Sequence, residues 1–183
     1  MISSLKIFKN LQRLKAFSAV LSLLLLNSCY SFTGSSLGPD VQTIKINEFV
    51  NNAPLVNPTL AQQFSTDMQR RFQQRTTLKG TTDRPHILIE GEITDYTISP
   101  TTISASPVEA PGGTIQAAQN KLTITVKVHY ENAIEPEKGF DRTYSDEAAF
   151  SSDLDINRIE TTQVPIVTER IINKIFNDIV ADW

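Results

Sequence analysis

The chain has 183 residues, with 17 Lys and Arg against 20 Asp and Glu and a formal net charge of −3. The acid excess excludes general nucleic-acid binding, which depends on neutralising phosphates with cations. A hydrophobic content of 40%, with nine Pro and seven Gly, excludes a disordered chain, and the single Cys excludes an internal disulfide.

That Cys stands in "KAFSAVLSLLLLNSCY", directly after a leucine run. Lys6, Lys9, Arg13 and Lys15 precede it, and Ala16 to Leu26 is apolar. This is the pattern of a secretory leader, a basic start and a short apolar run well below the ~20 residues that span a bilayer as a helix. Leu26-Asn27-Ser28-Cys29 resembles a bacterial lipobox, with Asn27 a looser fit than Ala or Ser, and there the Cys becomes the acylated first residue of the mature chain. A thiol is needed there because the thioether link requires a sulfur nucleophile, and several acyl chains anchor where one does not. Residues 1–28 are therefore expected to be a lipoprotein signal peptide and Cys29 the lipid attachment site. Cleavage would leave about 155 residues with a charge of about −7, enough for one domain with a core.

Residues 29–40 read as a flexible Ser- and Gly-rich tether, and residues 41–183 as the folded domain. Val41 to Phe49 alternates as a strand. Asn57-Pro58 signals a helix start, Asn as cap and Pro at the first position. From there Leu60, Phe64, Met68 and Phe72 form an apolar stripe ending near Thr76. His86 to Ile98 is a strand with Ile87, Ile89 and Ile93 on one face and Gly91 as a bulge signal. Ser99 to Ala118, with three Pro and two Gly, is long for a connector and is expected to be mobile or functional.

Asn120 to Tyr130 is the clearest strand, alternating Leu122, Ile124, Val126, Val128 and Tyr130 with polar residues. After the turn "AIEPEKGF", Phe140 to Phe150 is a fourth strand. A last helix carries Val164, Val167, Ile171, Ile175 and Ile179, with Pro165 limiting its start. The fold class is α/β (α+β): a two-layer sandwich, a four-stranded mixed sheet with two helices on one face, in the order β-α-β-β-β-α. The first two strands, joined through a helix, suit parallel pairing, and the last three suit antiparallel pairing.

The chemistry of catalysis is missing. His86 and His129 lie on strands, and no carboxylate, Ser or Cys forms a known motif with either. There is no metal knuckle, no His-Glu-x-x-His and no phosphate loop. The expectation is a binding or assembly protein, with no enzyme activity and no cofactor.

The stretches "LNSCYSFTGSSLGPDVQTIKINEFVNNAPLVNPTLAQQF", "AAQNKLTITVKVHY" and "IFNDIVADW", in that order, resemble the Bacteroidetes branch of the lipopolysaccharide (LPS)-assembly lipoprotein LptE family. The resemblance runs from the lipobox to Trp183, and the derived element order agrees with that family's fold. It implies an outer-membrane lipoprotein on the periplasmic face, held by its N-terminal lipid. Such a protein would plug the LPS-translocating barrel LptD, assist its folding and bind LPS. A generic lipid-anchored adaptor of another envelope machine and a cryptic periplasmic hydrolase are the alternatives.

LPS presents phosphates and acyl chains, so a binder should place Lys or Arg beside hydroxyl or apolar groups. Lys121, Thr123, Thr125 and Lys127 share one face of the clearest strand and are the candidate LPS contacts, against the alternative of a solvated outer face. Arg70, Arg71, Arg75 and Lys79 form a second basic cluster, which also suits the negative end of a helix dipole.

Overall fold

The structure is a computed structural model and describes residues 37–55, 57–101 and 119–180. Three long strands dominate: β4 (Ile87–Thr101), β5 (Gln119–Asn132) and β6 (Phe140–Ser151). They are joined by three short ones, β1 (Thr43–Ile46), β2 (Val50–Asn51) and β3 (Lys79–Gly80). The sheet runs β3-β1-β4-β5-β6, with β2 also pairing β4. Pairs of β4 with β1 and β2 are parallel, and β4-β5 and β5-β6 are antiparallel. This is the expected mixed sheet with six strands in place of four.

The two extra strands arise in different ways. The expected strand over 41–49 breaks after Ile46, because the chain leaves the sheet to bury Phe49, whose amide donates to Ser65 Oγ at 2.9 Å. It resumes as β2. The other addition, β3, is two exposed residues paired with Thr43 and Ile44, with no apolar pattern to announce it.

Helix α1 (Leu60–Arg75) begins two residues later than the Asn57-Pro58 signal implies. Asn57 Oδ1 accepts from the Thr59 amide at 3.1 Å, so it shapes the turn before the helix instead of capping it. The stripe Leu60, Phe64, Met68 and Phe72 is buried, each side chain contributing about 1.5–3 kcal/mol relative to exposure. Phe64 meets Phe49 edge-on at 4.9 Å, and Phe72 meets Phe176 of the last helix at 5.1 Å.

That last helix, α2 (Ile156–Val180), contains Pro165 within it. The expectation that Pro165 lies in the first turn is overturned, since the helix starts nine residues before it. The helix is started by Asp155, whose Oδ1 accepts the Arg158 amide at 2.9 Å, and Ile159 anchors its first turns in the core. Pro165 and Thr161 are both exposed, so water can satisfy the Thr161 carbonyl that the proline leaves without a donor.

Both helices pack over one face of the sheet, where the apolar residues of β4, β5 and β6 form a single cluster with theirs. The β4 register slips between Ile93 and Asp95, so the bulge lies at Thr94 and not at Gly91. The slip moves the core-facing phase from Ile87, Ile89 and Ile93 to Tyr96 and Ile98. Gly91 has a different task. A Cβ there would lie 2.3 Å from the Lys127 carbonyl and 2.7 Å from Phe49 Cε1, so only glycine lets that ring lie against the strand.

β4 also takes in Ser99, Pro100 and Thr101, the start of the expected loop. Among the described residues only β5 pairs with β4 beyond Ile93, so the missing N–H of Pro100 takes no ladder bond from another strand there. The rest of that loop, 102–118, lies outside the described residues, as do Cys29 and the whole expected leader.

Candidate functional site

The candidate row lies on the other sheet face, which no helix among the described residues covers. Cross-strand register sets its neighbours. Lys121 stands between Ser99 and Ala149, Thr123 between Thr97 and Glu147, Thr125 between Asp95 and Ser145, and Lys127 between Glu92 and Thr143. The four are therefore brought together as expected, about 20 Å from end to end at strand spacing.

Their electrostatic setting is acidic. Lys121 Nζ is 2.7 Å from Glu147 Oε2 and is already neutralised. Thr125 Oγ1 and Ser145 Oγ share a hydrogen bond of 3.1 Å. Lys127 is exposed and has no ion pair among the described residues, and it borders a cleft of about 430 Å³ with Asn47, Asn52 and Glu92. The carboxylates of Glu90 and Glu92 are held by the Asn47 and Asn52 amides at 2.9 and 2.6 Å. With Asp95, Glu131, Asp141 and Glu147, carboxylates outnumber ammonium groups across β4–β6. Sequence alternation identifies the row but not these partners, because they depend on register between strands far apart in the chain.

His129 lies in the same face, between Glu90 and Asp141 in register. Its Nε2 is 3.0 Å from Glu131 Oε1 and its Nδ1 is 3.0 Å from Asp141 Oδ1. These bonds, to Glu131 first and Asp141 second, raise its pKa above the ordinary histidine value against a small opposing desolvation. His86 Nδ1 accepts the Gln42 amide at 3.1 Å. Both imidazoles border one cleft of about 610 Å³, and among the described residues no Ser, Thr or Cys lines it. Among the described residues no group of His, Cys, Asp and Glu is arranged to hold a metal ion.

The second basic cluster divides. Arg70 is paired with Asp67 at 2.9 Å, and Arg71 lies over the Phe176 ring at 5.7 Å. Arg75, in the last turn of α1, and Lys79, on β3, are exposed. Only Arg75 has the position that the helix-dipole reading requires. No helix among the described residues is long and apolar enough to cross a membrane.

Several solved structures are similar over most of the chain. One is a minor lipoprotein from Acinetobacter baumannii, 13% identical, covering 76% of this chain and 92% of its own, with a TM-score of 0.47. Another is the hypothetical protein CT253 from Chlamydia trachomatis, 11% identical, covering 77% and 99%, with a TM-score of 0.45. A third is the PelC dodecamer from Paraburkholderia phytofirmans, 7% identical, covering 80% and 95%, with a TM-score of 0.44. At these scores they add no support for fold or function. No curated protein matches the chain. The family model described as "LptE: Lipopolysaccharide-assembly" matches residues 41–182, nearly the whole of the domain. The chain belongs to the LptE family of lipopolysaccharide-assembly proteins.

Proposed function

We propose that the protein is an outer-membrane lipoprotein on the periplasmic face, anchored by lipid at Cys29, that plugs an LptD-like barrel, assists its folding and binds LPS. The family is a non-enzymatic one that serves LPS transport, and the match over 41–182 is the observation that carries this reading. The geometry is compatible with it. A two-layer domain with one polar sheet face uncovered among the described residues offers surface for a wet contact with a barrel wall, and many specific interfaces are of that kind. On this reading the row Lys121, Thr123, Thr125 and Lys127 is one candidate LPS contact, and segment 99–118 gains hydrogen-exchange protection in the complex with the barrel.

Depletion of the protein tests the proposal in cells. Folded barrel and surface LPS should both fall, and hydrogen exchange over 99–118 should slow when the purified complex is compared with the free protein. Normal barrel assembly and normal LPS export without the protein would overturn it. The adaptor reading is kept apart by the same measurement, since an adaptor of another machine leaves both quantities unchanged.

A further inference from the structure

The parts of α2 on either side of Pro165 are held very differently. Beyond it, Val167, Ile171, Ile172, Ile175, Ile179 and Val180 are buried. Arg170, Lys174 and Asp178 tie this part to β6, through the Glu147 and Ser145 carbonyls and the side chains of Asp146 and Arg142. Before it, from Ile156 to Val164, only Ile159 and Val164 are buried, and Ile156 is 48% exposed. Among the described residues no side chain of 156–164 hydrogen-bonds or ion-pairs with another element. Its threonine hydroxyls, Thr161 and Thr162, turn back to the Asn157 and Arg158 carbonyls of their own helix.

The helix is weakest where the two parts meet. Pro165 has no N–H for the Thr161 carbonyl, and its ring crowds that same carbonyl. The Thr168 hydroxyl bonds back to the Val164 and Pro165 carbonyls at 2.9 and 3.1 Å, an arrangement that slightly destabilises and bends helices. Proline also suits the first position of a helix, where a missing N–H is no loss. The stretch 165–180 therefore remains a complete helix if the turns before it come away.

The first part also lies against a group that is poorly suited to burial. Tyr96 of β4 is 1% exposed, and its hydroxyl has no hydrogen-bond partner among the described residues. Its polar neighbours are Asn57, before α1, and Glu160, in the first part of α2. A buried hydroxyl left without a partner carries its full desolvation cost.

We infer that residues 156–164 form a hinged cover over Tyr96, which opens about Pro165 as one unit while 165–180 and the sheet stay in place. Asp155, whose Oδ1 accepts the Arg158 amide, and the apolar anchors Ile159 and Val164 hold the cover closed. Opening hydrates the Tyr96 hydroxyl and bares Ile159 and Val164 to a partner surface. Neither a barrel nor LPS is needed for the motion, so a measurement on the free protein tests it apart from the proposed function.

Native-state hydrogen exchange of the purified full-length protein in dodecyl maltoside micelles, read by NMR, is that measurement. By helix geometry the amides of 166–168 donate to the carbonyls of 162–164, so they belong to the cover as well. Amides 159–164 and 166–168 should share one protection factor, at least about tenfold below that of 170–179, with the step at Glu169. Pro165→Ala, which returns a donor to Thr161, and Tyr96→Phe, which removes the hydroxyl, should each slow exchange of the cover about fivefold or more. Tyr96→Phe leaves the helix untouched and serves if Pro165→Ala alters the fold. Equal protection along the whole of α2 would overturn the inference. So would protection that rises residue by residue with no step near Glu169, or a cover whose exchange ignores Tyr96→Phe.

Discussion

Lys174 Nζ lies 2.8 Å from both Asp146 Oδ2 and the Ser145 carbonyl, so a helix side chain closes the outer edge of the sheet. Among the described residues β6 has no strand beyond it, and an unpaired edge invites pairing with another chain. Arg170 Nη1 donates to the Glu147 carbonyl at 3.2 Å, and Asp146 Oδ1 accepts the Glu147 amide at 2.8 Å. The Ser145 carbonyl and the Glu147 amide and carbonyl are thereby occupied by α2 and by Asp146.

Removing this seal has two expected effects. Asp146→Ala should cost about 1.5–3 kcal/mol, the range for hydrogen bonds to a charged group, since its side chain is only 15% exposed. Lys174→Ala with Arg170→Ala should in addition promote self-association through β6. Urea unfolding reads the first effect and light scattering the second. A stable, monomeric double variant would show that the edge needs no cover.

The same carboxylate sets a pH dependence. Burial raises the Asp146 pKa, but the bonds to Lys174 and the Glu147 amide outweigh it, with Arg170 adding to them, and the net shift is downward. A depressed folded-state pKa contributes stability that is present above the ordinary carboxylate value and is lost as pH falls through the folded value. Asp146→Asn should therefore flatten the loss of stability below about pH 4. An unchanged acid limb would contradict the assignment.

His129 runs the other way. With carboxylates on both ring nitrogens its pKa is raised, so its stabilising effect is complete below the unfolded value and is lost as pH rises through the folded one. An NMR titration should place its midpoint above about 6.5, and Asp141→Asn should lower it. A midpoint at or below that value would mean that the two carboxylates do not hold the ring in solution.

Gly91→Ala should destabilise the fold by about 1–3 kcal/mol, the usual cost of overpacking. Phe49→Ala should not restore it, because the nearer clash is with the Lys127 carbonyl, 2.3 Å from the added Cβ. Phe64→Ala, at a fully buried position, should cost about 3–5 kcal/mol. Chemical denaturation measures both, and a loss under about 1 kcal/mol at Phe64 would show that α1 is not packed by this stripe.

These positions also show what the sequence could disclose. Strict alternation made β5 legible to within two residues at either end, and the four-residue spacing from Leu60 to Phe72 made α1 legible. Gly91 was visible as an anomaly, but its reason was not, because Phe49 reaches it from 42 positions away in the chain. Pro165 misled for the opposite reason. Its local rule is sound, yet Asp155 and the buried Ile159 outweigh one missing hydrogen bond at an exposed turn. The candidate row was legible as a row. Its neutralisation by Glu147 was not, since only the β5-β6 register brings Lys121 and Glu147 together.

The lipid anchor has a simple readout. Cys29→Ser should move the protein from the membrane to the soluble periplasmic fraction, and intact-mass spectrometry of the wild type should show an acylated N-terminal Cys29. An unmodified thiol there would sink the anchor.

The central claim is a stable one-to-one complex with an LptD-like barrel, and a pull-down of the tagged lipoprotein from detergent-solubilised outer membrane tests it most directly. The account predicts one large β-barrel protein, recovered in equimolar amount. Recovery of the lipoprotein without any barrel, or with a different envelope assembly in its place, would contradict it.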